Sequence, residues 1–143
     1  MLYGPYYILV ELWNLLTPMV IFHVLWATFV GTVVGMLPGL TATMGIALLT
    51  GLTFGMDPKY AIVILLCVYV GAITGGSRSS ILLNIPGTPA NAAAALDGFP
   101  LAQRGEAGPA IGLSATSSYI GTVFGILCLA FLTPLLGQLA LKF

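Results

Sequence analysis

Forty-five consecutive residues, 12–56, carry no charge. The eight charged side chains of this 143-residue chain stand at Glu11, Asp57, Lys59, Arg78, Asp97, Arg104, Glu106 and Lys142, leaving further uncharged runs at 60–77, 79–96 and 107–141. A soluble domain puts charge on roughly a quarter of its residues to keep its surface hydrated. Here 6% are charged and 59% hydrophobic, with a mean hydropathy of +1.07, so the solvent for this surface is lipid. The expected fold class is all-α, a polytopic membrane helical bundle forming a single transmembrane domain over 1–143. A soluble enzyme is excluded. Net charge zero also removes the basic footprint that nucleic-acid binding requires.

At about 1.5 Å per residue, the run 12–56 is too long for one pass through a hydrocarbon core of about 30 Å. It has to turn, and Pro38-Gly39 is the place. The pattern predicts an interfacial lead-in over 1–17 and helices over 19–36, 42–54 and 60–74. A short helix over 78–85 follows, then a break at Pro86-Gly87, a half-length helix over 89–96, a polar loop over 97–106 and a long helix over 108–133. No Lys or Arg precedes Lys59, so the N-terminus lacks a signal peptide's charged region and reads as mature sequence. Tyr3, Tyr6, Tyr7 and Trp13 suit the headgroup level. Membrane orientation stays open, because the two polar loops offer one cation each.

Small residues recur at helical spacing in Gly31/Gly35, Gly71/Gly75 and Gly121/Gly125. Ser114, Ser117 and Ser118 extend the last pair into a continuous small face. Such faces let backbones approach where no hydrophobic effect drives association, and the reading here is packing. Cys67 and Cys128 lie in apolar runs, which argues against a disulfide framework or a thiolate metal site. His23 has no carboxylate within helical reach and reads as a satisfied or interfacial histidine. No catalytic residue and no metal cluster is expected.

The informative residues break the rules of a lipid-facing helix. Leu37-Pro38-Gly39-Leu40-Thr41-Ala42-Thr43 and Ile85-Pro86-Gly87-Thr88-Pro89-Ala90-Asn91 each stop one helix and start another, 48 residues apart. Proline removes a donor and clashes with the preceding turn, and Thr88-Pro89 has the form of an N-cap followed by proline at N1. Freed backbone groups survive at membrane depth only against protein or a watery cavity. A half-helix starting there points about half a positive charge into that cavity, as paired discontinuous helices do in internally repeated transporters. Kinked structural helices or surface turns are the alternative.

Between the breaks, Ser77, Ser80 and Asn84 share one helical face at i, i+3, i+7. Arg78 beside them is either a snorkelling residue at a helix end or a cavity charge able to grip a carboxylate bidentately. Thr41, Thr43, Ser77, Arg78, Asn84, Thr88 and Asn91 are therefore expected to line one polar, substrate-binding cavity. The helix-break residues Pro38, Gly39, Pro86 and Gly87 are expected close together in the interior.

With these residues in view, the chain resembles the large membrane subunit of the tripartite tricarboxylate transporters. The resemblance is carried by Gly35-Met-Leu-Pro-Gly-Leu-Thr41, Leu52-Thr-Phe-Gly-Met-Asp-Pro58 and Gly71-Ala-Ile-Thr-Gly-Gly-Ser77. It continues through Ile81-Leu-Leu-Asn-Ile-Pro-Gly-Thr-Pro89, Leu96-Asp-Gly-Phe-Pro100 and Gly105-Glu-Ala-Gly108. It implies a multi-pass protein of the bacterial inner membrane and a cation-coupled secondary transporter importing di- or tricarboxylates. It further implies a small membrane subunit and a periplasmic solute-binding protein as partners, and Na+ or H+ as coupling cation with no cofactor. Members are several times longer, so the chain reads as the N-terminal portion, half of an internally repeated transporter. The other reading is a small membrane assembly protein without transport activity of its own.

Overall fold

A computed structural model describes residues 15–140 together with Val10 and Trp13, the side chains at 134–135 and 138–140 excepted. Five helices make up this part of the chain: α1 (Pro18–Met36), α2 (Ala42–Thr53), α3 (Pro58–Leu83), α4 (Ala92–Gln103) and α5 (Ala107–Ala140). One 3-10 turn, Pro89–Asn91, leads into α4. Three helices are long and apolar enough to cross a membrane: α1, α3 and the Ala107–Thr133 part of α5. The architecture is thus an all-α membrane bundle. The lead-in expected over 1–17 lies outside the described residues, except near its end, where Trp13 is exposed and Thr17 caps α1.

The starts of the helices follow from local chemistry. Thr17-Pro18 and Asp57-Pro58 place an oxygen-bearing cap before a proline whose missing N–H would have been unpaired in any case. Thr17 Oγ1 accepts from the Val20 N–H at 3.4 Å, and Asp57 Oδ1 accepts from the Lys59 N–H at 2.9 Å. Thr41 caps α2 by accepting from the Met44 N–H at 3.3 Å. At the other end of α4, Gly105 takes φ +86 and closes a Schellman motif: its N–H reaches the Ala102 carbonyl while the Glu106 N–H reaches Leu101.

α1 and α3 form the largest interface, and they run in the same direction. A Cβ on Gly31 would strike the Val68 backbone and one on Gly35 the Ala72 backbone, one turn further along both helices. In return, a Cβ on Gly71 would lie 2.6 Å from the Thr28 carbonyl oxygen, and one on Gly75 would strike the Thr32 carbonyl. The first two GxxxG pairs are thus each other's partner, as small faces in a membrane allow. α2 returns antiparallel: Gly45 sits against Val34 and Val68, and Leu49 packs on the buried Ala27, Ile64 and Val68 further down. Large apolar side chains such as Phe22, Leu25, Phe29 and Leu66 point outward, the distribution expected where lipid is the solvent.

Two expected boundaries are corrected. Gly75-Gly76 does not divide 60–74 from 78–85, because α3 is continuous over 26 residues. The glycine penalty of roughly 1 kcal/mol each is outweighed by the contacts these positions make possible with α1 and the second break. Nor is 97–106 a loop. α4 runs on through Asp97-Gly98-Phe99-Pro100, and only 104–106 is non-helical. Gly98, which reads as half of a turn, is a helix contact; a Cβ there would lie 2.6 Å from Ile81 Cγ1. Pro100 stands inside α4, where it has no N–H to give the Leu96 carbonyl one turn earlier.

Candidate functional site

Both breaks come to one depth in the bundle. Gly35 meets Ala72, and a Cβ on Gly87 would strike the Gly35 carbonyl and lie 2.8 Å from Gly76 Cα. Beyond Gly76, α3 continues for seven residues, about 10 Å of helix. The chain therefore dips back after Leu83, reaches the Ala72–Gly76 level at Gly87, and turns outward again as α4. The direction of α4 is set by two contacts, Asn91 on the Ile73 carbonyl and Gly98 on Ile81, which advance together along α3. The second break is re-entrant, whereas the first is the turn of an antiparallel hairpin. Of the four break residues only Gly87 is buried; Pro38, Gly39 and Pro86 are exposed, so interior placement is confined to Gly87. The outer side of the Pro38-Gly39 turn has no neighbour among the described residues, and nothing lies within 4 Å of a Cβ on Gly39.

This topology sets two helix starts against one layer. α2 leaves it running back along α1, and α4 leaves it running forward along the end of α3. Their positive ends open on that layer from opposite directions. At α2, Thr41 Oγ1 takes the Met44 N–H and the Thr41 carbonyl takes Gly45, leaving Ala42 and Thr43 N–H without an intrahelical acceptor. At the second start, the 3-10 turn already uses the Asn91 and Ala92 N–H groups, on Thr88 and Pro89 carbonyls.

Asn91 holds this corner together. It is 5% exposed, and its Nδ2 donates to the Ile73 carbonyl at 3.0 Å and to Thr88 Oγ1 at 2.9 Å. Thr88 has the extended backbone of an N-cap, but its side chain accepts from Asn91 instead of capping the turn. The approach requires glycine at 76, where a Cβ would strike Asn91 Nδ2.

Alongside lies an open groove of about 400 Å³ between α3, α4 and α5. Its polar lining is Ser77, Asn91, Asp97, Ser114, Ser117 and Ser118. Of the seven sequence-predicted residues, the groove gathers Ser77 and Asn91, with Thr88 attached through Asn91. Thr41 and Thr43 pair with each other, Oγ1 to Oγ1 at 3.2 Å, at the start of α2. Arg78 is half-buried and stands about 200° around α3 from Gly76, at the same depth on the other flank. Asn84 leaves the expected stripe: it is the left-handed C-cap of α3 at φ 58, ψ 27, and is exposed. Ser79 and Ser80, both buried, donate to the Gly76 carbonyl at 3.0 and 2.8 Å.

Asp97 and the serines of α5 are the residues that sequence reasoning assigned elsewhere, to a loop and to a packing face. Their signal was the i, i+3, i+4 hydroxyl spacing of Ser114, Ser117 and Ser118, joined to Asp97 through a short loop. Other titratable groups serve structure. His23 Nδ1 accepts from Trp26 Nε1 at 3.0 Å and its ring lies 5.4 Å from Tyr60, toward the opposite end of α3. Cys67 and Cys128 are free thiols. Among the described residues no three His, Cys, Asp or Glu gather as a metal site.

Residues 21–143 match the model of the tripartite tricarboxylate transporter TctA family. Over 128 residues, 90% of this chain, the sequence is 39% identical to an Agrobacterium vitis protein described as an uncharacterized 52.8 kDa protein in the TAR-I ttuC' 3' region. The matched region is 26% of that protein, so the chain spans about a quarter of its relative's length. No solved structure matches significantly.

Proposed function

Because this chain belongs to the tripartite tricarboxylate transporter TctA family, we propose that it forms part of the membrane path of a secondary transporter for di- or tricarboxylates. The observation that carries the reading is that two helix N-termini, those of α2 and α4, reach one depth of an apolar bundle from opposite directions. Such ends favour anions, and opposed ends suit a substrate with more than one carboxylate. In this reading the Ala42 and Thr43 N–H groups and the Thr41 and Thr43 hydroxyls meet one carboxylate. The Thr88 corner, held by Asn91, shapes the other side, and Asn84 caps the end of α3 beyond it. Arg78 reaches the same layer from its own flank with a guanidinium that fits a carboxylate bidentately. Uptake is driven by a coupling cation, Na+ or H+. A periplasmic solute-binding protein delivers substrate and a small membrane subunit completes the complex, in a bacterial inner membrane that the chain crosses several times.

The test uses the full-length transporter in membrane vesicles. Thr88→Val keeps the shape but removes the acceptor for Asn91, and uptake of labelled carboxylate is expected to fall at least tenfold at equal membrane levels. Asn84→Leu, which removes an exposed polar cap, should also lower it. Unchanged uptake in both variants would remove the second break from the substrate path.

A further inference from the structure

We infer that one face of α5 seats a further membrane-spanning helix, supplied by the part of the transporter polypeptide outside these 143 residues and packed on α5 backbone to backbone. The inference goes beyond the substrate reading, since it holds whatever the transporter carries. It starts from how α5 sorts its side chains. At 100° per residue, Ser114, Ser117, Ser118, Gly121, Gly125 and Cys128 fall within about 100° of one another. Tyr119, Val123, Phe124, Leu127 and Phe131 cover the opposite side. The sorting is by size. On α1 the large side chains Phe22, Leu25 and Phe29 face the lipid, while Gly31 and Gly35 face the α3 backbone. α5 carries the same two faces, but its small face is unfilled. Beyond Ala110 no residue of α5 up to Thr133 is buried, and nothing among the described residues lies within 4 Å of a Cβ on Gly121 or Gly125.

The hydroxyls on this face point the same way. Ser117 donates to its own helix at the Leu113 carbonyl, but the Ser114 and Ser118 side chains make no hydrogen bond among the described residues. Against lipid such a hydroxyl goes unmet, whereas a second helix can complete its bond. From Ser114 to Cys128 the face is about 21 Å long, most of a hydrocarbon core of about 30 Å, so its occupant crosses the membrane. The source of that helix follows from chain length. The region shared with the Agrobacterium vitis relative is 26% of that protein, so a transporter of that size has about three quarters of its chain left to place around this bundle. Helices of the same polypeptide are held beside α5 at high effective concentration, which a second copy of the chain is not. A helix that fits carries small residues opposite Gly121 and Gly125, as α3 does opposite Gly31 and Gly35, and an acceptor within reach of Ser114 or Ser118.

The experiment uses the full-length transporter in its membrane. A photoreactive benzophenone amino acid replaces Ser118 or Cys128 on the small face, or Val123 or Leu127 on the large one, and the cross-linked peptides are mapped by mass spectrometry after gel separation. From Ser118 and Cys128, illumination is expected to join α5 to a peptide of the same polypeptide outside 1–143, in a band of monomer mass and in several-fold higher yield than from Val123 and Leu127. Cross-links only between two transporter copies, or only to lipid or to another protein, overturn the inference, and so does equal yield from both faces. Gly121→Leu should also lower the melting temperature of the detergent-purified transporter by several degrees, while Ala130→Leu, on the large face, should leave it unchanged. A Gly121→Leu variant as stable as wild type overturns the inference too. If that variant does not reach the membrane, the cross-links, which keep both glycines, decide the matter. Neither readout involves uptake, so a transporter that moves no di- or tricarboxylate would refute the substrate reading and leave this helix contact standing.

Discussion

Asn91 is the residue on which the second break turns. Its amide reaches across eighteen positions to the Ile73 carbonyl and locally to Thr88, so one side chain ties the re-entrant segment to α3. Asn91→Leu removes both bonds and leaves buried acceptors unmet, a loss of roughly 1–3 kcal/mol for each. A lower melting temperature of the detergent-purified transporter is the expected result. Gly76→Ala should give a similar loss, because its Cβ takes the space of the same amide. Arg78 is tested differently. If it grips carboxylate, binding weakens in the order Arg, Lys, Gln, since Lys keeps the charge without the planar fork. Isothermal titration of substrate against Arg78→Lys and Arg78→Gln reads this order, and a fully active Lys variant would take Arg78 out of the bidentate role.

The same motif has different weight in different helices. Gly31, Gly35, Gly71 and Gly75 each meet backbone, so no neighbouring side chain can rotate aside to admit a Cβ. Gly75→Leu should part α1 from α3 and cost at least the 1–3 kcal/mol typical of overpacking, seen as early unfolding in detergent and as low membrane levels. Gly121 and Gly125 have nothing within 4 Å of a Cβ among the described residues. Identical spacing was therefore legible as small faces, but which face found a partner was not. Gly-Gly at 75–76 and Asp-Gly at 97–98 misled for a related reason. Local propensity reads them as breaks, whereas close helix contact gives glycine a second use that overrides its helix penalty.

The bundle has a definite up and down. The turn near Phe54 and the α4–α5 connection near Gln103 lie toward opposite ends of α3, and a single crossing by α3 predicts them at opposite membrane faces. Cysteines placed at Phe54 and Gln103, both exposed positions, should be labelled by an impermeant maleimide from opposite sides of intact cells and inverted vesicles. Labelling of both from one side would refute the crossing. The membrane character, the helix-forming stretches and both Pro-Gly interruptions were determined by the sequence itself, because charge depletion and proline act locally and leave few choices in lipid. Thr41 and Thr88 were legible as helix starts on the same grounds. That the two starts share one depth, that the second break dips back to Gly35 and Gly76, and that Asp97 lines one groove with serines of another helix were decided only by tertiary structure. Those relations join residues of separate helices through packing and hydrogen bonds, and no local pattern in the chain encodes which helix will lie against which.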